Sequence, residues 1–132
     1  MNEVLQSELK KILNVRFSQS ESTRANYARG EDTYDPVLSE AVVFPETNEE
    51  VSKILKLCNE HKIPVVPFGT GTSLEGNVVG NENGITISLE KMNKVLSVNA
   101  EDFDCRVQAC VTKEQLNEYL REDGVFFPID PG

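Results

Sequence analysis

Two short apolar runs flank one amphipathic stretch between Ala41 and Phe68, and no other feature restricts the chain as much. Ala41–Phe44 is closed by Pro45 and reads as a buried strand. Thr47-Asn-Glu-Glu50 is a capping box, in which hydroxyl and carboxylate satisfy the orphan amides of a helix start. Val51, Ile54, Leu55 and Cys58 come next at core spacing, the helix runs out near His61 and Lys62, and Pro64 stops it. Val65–Phe68 is a second, fully apolar strand. Strand, helix and strand make a βαβ unit, which requires parallel strands and a right-handed crossover.

Directly after that second strand comes P-F-G-T-G-T-S-L-E-G-N, Pro67 to Asn77, opening a glycine-rich connection that runs to Gly84. In open parallel sheets, ligands collect beyond the carboxyl ends of the strands. Gly69, Gly71 and Gly76 lack Cβ atoms, so the backbone can approach an anion closely, while Thr70, Thr72 and Ser73 add hydroxyl donors. Successive amides in such a loop form a concave nest of positive partial charge. No Lys or Arg lies between Lys62 and Lys91, so a phosphate here is held by neutral donors. The loop has no Gly-Lys-Ser/Thr of a P-loop, and Leu74 stands where a Rossmann fingerprint needs its third glycine. On spacing alone two readings stand: a phosphate cradle, or a flexible connection between two strands.

The 132 residues fit one domain. An N-terminal helix carries Leu5, Leu9, Ile12 and Leu13 on one stripe. A polar connection comes after it, with a short helical piece around Ser22–Ala28, and a connection so long is expected to be functional or packed on a missing partner. Beyond the glycine-rich loop, Ile85–Leu89 and Val95–Val98 read as strands. Cys105–Val111 alternates as a third, which puts Cys105 and Cys110 on opposite faces of one strand. Thr112-Lys-Glu-Gln115 is a second capping box, with Leu116, Tyr119 and Leu120 facing inward and Gly124 at the helix end. Cys58 and His61 read as a core residue and a helix-end residue.

A net charge of −9 argues against non-specific binding to nucleic acid, and the apolar runs are too short to span a bilayer. Three cysteines at wide spacing and one histidine exclude a conventional structural zinc site and fit a reducing compartment. Carboxylates such as Glu31, Asp32, Asp35, Glu101, Asp102 and Asp104 cluster in polar turns, as solvated charge does, and no nucleophile–His–acid set is present. An apolar run ending on Pro-Gly leads us to expect further polypeptide beyond Gly132, an exposed apolar face, and self-association.

The ordered series A-V-V-F-P-E-T-N-E-E-V, I-P-V-V-P-F-G-T-G-T-S-L-E-G, the strand–Lys-Met-Asn–strand segment at Ile85–Val98, and F-F-P-I-D-P-G resembles the vanillyl-alcohol-oxidase/PCMH-type flavoproteins. Within that family it is most similar to the branch of D-lactate dehydrogenase (cytochrome), 2-hydroxyglutarate dehydrogenase and the glycolate oxidase flavin subunit. The resemblance implies an α+β fold: the first lobe of a PCMH-type FAD-binding domain, a small mixed sheet with a βαβ unit flanked by helices. Residues 1–39 would be an N-terminal helix and connecting segment, and 40–132 the lobe. Pro67, Phe68, Gly69, Thr70, Gly71, Thr72 and Ser73 would wrap the FAD pyrophosphate, with Gly76 and Asn77 finishing the loop. Asp130, Pro131 and Gly132 would begin the passage toward a second lobe.

With no histidine in the loop, the FAD is expected to be non-covalent. Ala109-Cys110 stands where members of the resembled family usually carry Pro-Gly or a similar glycine pair, so a thiol there would crowd the flavin side. The implied reaction takes a hydride from Cα of a D-2-hydroxy acid, most simply D-lactate, to flavin N5, and passes electrons to an acceptor. Its catalytic and metal-binding residues would lie outside this chain. The implied location is cytoplasmic, at the membrane periphery. A non-catalytic nucleotide-binding or assembly module that kept the loop is the alternative.

Overall fold

Leu5, Leu9 and Leu13 recur every fourth residue, and helix α1 (Glu3–Leu13) buries all three completely or nearly so. Asn2 caps it, its side chain accepting from the Val4 amide at 2.7 Å. In the computed structural model, which describes residues 1–130, the chain divides into two compact units between Lys91 and Met92.

The first unit continues through a 3₁₀ turn at Asn14–Arg16, β1 (Phe17–Ser18), α2 (Glu21–Asn26), β2 (Ala41–Val43), α3 (Asn48–Glu60), β3 (Val65–Phe68) and β4 (Ile85–Ser88). Its sheet has the order β1-β2-β4-β3, with β1 antiparallel and the other three parallel. The two strands of the βαβ unit are therefore parallel, as expected, with β4 inserted between them. Pro67 lies on β3 at the sheet edge, where a missing N–H costs the ladder least. Ala41, Val43, Ile85 and Ile87 pack one face of the sheet against Leu5, Leu9, Leu13, Ile54 and Cys58. Burial pushes the Cys58 thiol up to about 11, as befits a packing residue. The opposite face is covered too. Thr86 is fully buried there, its hydroxyl 2.7 Å from that of Ser39.

The α3 capping box forms only in part. Thr47 accepts from the Glu50 amide at 3.2 Å, while Glu50 reaches the Glu46 amide at 2.8 Å and takes both Nη atoms of Arg16. That hydrogen-bonded guanidinium holds the Glu50 carboxyl down at about 2. Arg16 also donates to the Phe44 carbonyl at 3.2 Å, tying the 3₁₀ turn to the end of β2.

The second unit holds the antiparallel pair β5 (Val95–Asn99) and β6 (Asp104–Val107), α4 (Lys113–Leu120) and a 3₁₀ turn at Arg121–Asp123. Thr112 caps α4 by accepting from the Gln115 amide, and Gly124 takes a left-handed conformation after the 3₁₀ turn. Three expectations are corrected here. The strand expected over Cys105–Val111 ends at Val107, so Cys110 sits in the next turn rather than on its opposite face. Gln115 donates to the Asn93 carbonyl instead of closing its capping box. Tyr119, expected to face inward beside Leu116, is exposed, while Leu116 and Leu120 are buried.

Candidate functional site: the glycine-rich loop after β3

Phe68 ends β3 with its side chain buried, and the loop departs from there. Gly69, Thr70, Thr72 and Asn77 are exposed, and Gly71, Ser73 and Gly76 half-buried. Gly71 and Gly76 have φ values of +74° and +75°, the left-handed region that side-chain-bearing residues avoid. A Cβ on Gly71 would stand 2.6 Å from Cζ of the Phe68 ring. One on Gly76 would stand 2.7 Å from the Tyr34 ring. Both positions thus need glycine twice over, for conformation and for space.

The loop bends back on itself through the Ser73 hydroxyl, which donates to the Asn77 side chain and accepts from the Glu75 amide at 3.3 Å. Thr70 and Thr72 bring their hydroxyls within 3.4 Å of each other. Among the described residues, the amides of Gly69, Thr70, Gly71, Thr72 and Ser73 have no protein acceptor. A run of consecutive unpaired donors is what an anion nest supplies, so the residues present fit a diphosphate held without a cation. Asp32 Oδ2, on the segment beneath the loop, is buried without a hydrogen-bond partner.

Of the residues the sequence pointed to, Pro67 and Phe68 are the last two of β3, and Gly69, Thr70, Gly71, Thr72, Ser73, Gly76 and Asn77 lie on the loop that leaves its carboxyl end. Phe68 enters only as a floor, since its ring lies under Gly71. Pro131 and Gly132 lie outside the described residues.

Sequence reasoning missed the segment that carries this loop. Glu31 donates its amide to the Ser73 carbonyl at 3.1 Å, and Gly80 donates to the Ala28 carbonyl at 3.0 Å. Tyr27 packs edge-on against Phe68 and Phe44, with ring centroids 5.0 and 5.5 Å apart. Its hydroxyl donates to Glu90, and burial with that bond pushes it up to about 12. The only advance signal was an unusually long polar connection.

In the second unit an apolar cavity of about 290 Å³ opens between the β5–β6 pair and α4, lined by Val98, Phe103, Leu116, Leu120 and Phe126 among others. Among the described residues no helix is long and apolar enough to cross a membrane.

The FAD binding domain family matches residues 39–132, most of the chain, and the chain belongs to that family; its cofactor is FAD. Its relatives include D-lactate dehydrogenases and a glycolate oxidase subunit. The chain is 43% identical over 115 residues to the probable mitochondrial D-lactate dehydrogenase of Danio rerio, covering 87% of this chain and 23% of that protein. It is 40% identical over 128 residues to the mitochondrial D-lactate dehydrogenase [cytochrome] of Arabidopsis thaliana, covering 96% and 23%. Glycolate oxidase subunit GlcD of Bacillus subtilis is 31% identical over 115 residues, 87% of this chain and 24% of that protein. The chain thus spans about a quarter of the length of these relatives.

Among solved structures, alkyldihydroxyacetonephosphate synthase superposes with a TM-score of 0.90 at 22% identity, over 99% of this chain and 27% of that one. p-Cresol methylhydroxylase superposes at 0.76 and 22% identity, over 94% and 26%. These likenesses show the fold: the α+β, PCMH-type arrangement with a small mixed sheet that the sequence implied.

Proposed function

We propose that this chain is the FAD-binding lobe of a flavin-dependent D-2-hydroxy-acid dehydrogenase, with D-lactate as substrate. The observation that carries the site is the row of unpaired amides from Gly69 to Ser73 past a buried parallel sheet. Pro67 and Phe68 set the start of that row, Gly69, Thr70, Gly71, Thr72 and Ser73 donate to the diphosphate, and Gly76 and Asn77 close the turn. Pro131 and Gly132 belong to the same cofactor site in this reading. The FAD is non-covalent, since the loop from Pro67 to Gly84 contains neither His nor Cys.

When bound, FAD supplies the acceptor for the hydride on Cα of the hydroxy acid. The residues of this chain bind and orient it: neutral dipoles compensate the diphosphate charge, and the left-handed turns at Gly71 and Gly76 bring the backbone within reach. The electrons then pass to a separate acceptor, and the enzyme works in the cytoplasm at the membrane periphery. Support for the substrate comes from the D-lactate dehydrogenases among the relatives.

Two experiments test this. In competition against FAD binding to the chain, ADP should displace the flavin much better than AMP, because the recognised unit is the diphosphate; equal competition by AMP contradicts the cradle. Deleting the gene should remove dye reduction driven by D-lactate, not L-lactate, from cell extracts; unchanged D-lactate oxidation contradicts the substrate.

A further inference from the structure

The segment Tyr27–Tyr34 lies before residue 39, where the family match begins, yet its contacts converge on the glycine loop. Tyr27 reaches the carboxyl end of each of the three parallel strands. Its ring meets Phe44, just after β2, and Phe68, the last residue of β3; its hydroxyl meets Glu90, two residues after β4. It therefore plugs the carboxyl end of the sheet and backs the Phe68 ring, which in turn fills the space a side chain at Gly71 would need.

Further along, Gly30 lies flat against the loop. A Cβ there would stand 2.7 Å from the Ser73 carbonyl oxygen, 2.7 Å from Val78 Cγ2 and 3.2 Å from the Gly71 carbonyl oxygen. The Glu31 amide donates to that same Ser73 oxygen, and the Tyr34 ring covers Gly76.

A trans peptide carries its C=O and the next N–H on opposite sides. Because the Gly71 and Ser73 carbonyls face Gly30, the amides of Thr72 and Leu74 project away from the segment. We infer that Tyr27–Tyr34 is the second half of the dinucleotide loop. It takes the carbonyl side, and so presents the amide side, Leu74 included, to the ligand, with Tyr27 as a positioning residue. The ligand class, a dinucleotide diphosphate, rests on the function proposed above; the bracing of the loop does not.

The test compares the unaltered chain with Gly30→Ala, Tyr27→Leu and Tyr27→Phe, reading FAD affinity, urea stability and the amide resonances of Gly71, Thr72 and Leu74. Gly30→Ala and Tyr27→Leu should weaken FAD binding about tenfold or more, as expected from misaligning one or two charge-assisted hydrogen bonds. The three resonances should shift in both variants. Tyr27→Phe keeps the ring and should restore affinity, which a loss of general stability would not do. Unaltered FAD affinity in both Gly30→Ala and Tyr27→Leu, or unmoved loop resonances, overturns the inference. If the unaltered chain fails to bind FAD, the proposed cofactor site fails for this chain, while the loop resonances still decide the bracing: shifted, it stands; unmoved, it falls.

Discussion

Helices α3 and α4 begin alike. Thr47 and Thr112 each accept a hydrogen bond from the amide three residues on, at 3.2 Å in both. What they bury differs sharply. In the first unit, helices and sheet close over a continuous core of Leu, Ile, Val and Ala. In the second, every residue of β6 is exposed, and Leu96, Phe103, Val107, Phe126 and Ile129 present apolar surface to solvent. Local start signals thus specify where helices form, whereas stability comes from the apolar surface that tertiary packing removes from water.

The sharpest way to break this comparison is to truncate matched residues. Ile85→Ala, at a fully buried position of the central strand, should cost about 3–4 kcal/mol in urea unfolding. Val107→Ala, 37% exposed, should cost less than about 1 kcal/mol. Equal losses would mean that the second unit has a core of its own.

Next in size is Gly71→Val. A φ of +74° and a Cβ 2.6 Å from Phe68 predict a loss of about 2 kcal/mol together with loss of FAD binding. A variant that keeps both would make the loop a mere connection.

The Arg16–Glu50 pair gives a pH dependence. Glu50 is held below its ordinary value of 4.5, at about 2, so its contribution is complete above about pH 4.5 and disappears as pH falls toward 2. Glu50→Gln should cost about 1.5 kcal/mol at neutral pH and flatten the acid limb of the stability curve between those values. An unchanged acid limb contradicts the pairing.

Smallest is the cap itself. Thr47→Ala should cost about 1 kcal/mol in unfolding free energy, whereas Thr112→Ala should lower helicity by circular dichroism and leave the first unit's unfolding midpoint in place. A common shift in that midpoint would show the two units to unfold as one.

Much of the first unit was legible because its signals are local: the spacing of Leu5, Leu9 and Leu13, the Thr47 cap and the Pro64 stop. β4 shows where local reading ends. I-T-I-S alternates like a half-buried strand, yet Thr86 and Ser88 are as buried as Ile85, since non-local cover satisfies them, Ser39 for Thr86. The same limit explains the long connection: its backbone hydrogen bonds go to the loop at Ser73 and Gly80, contacts more than 40 residues apart in sequence that no periodicity encodes. β1 is two residues long and paired to β2, too short for any pattern. In the candidate site, the glycines announced themselves by composition, whereas Tyr27, Gly30 and Tyr34 meet their partners across stretches of sequence that no local pattern links.

The most direct test of the central claim is an amide-resolved NMR titration of the chain with FAD. The largest shifts should fall on Gly69 to Leu74, with Gly76 and Asn77 next, and ADP should reproduce them. Shifts centred instead on the apolar cavity around Phe103 and Phe126, with the glycine loop unmoved, would contradict it.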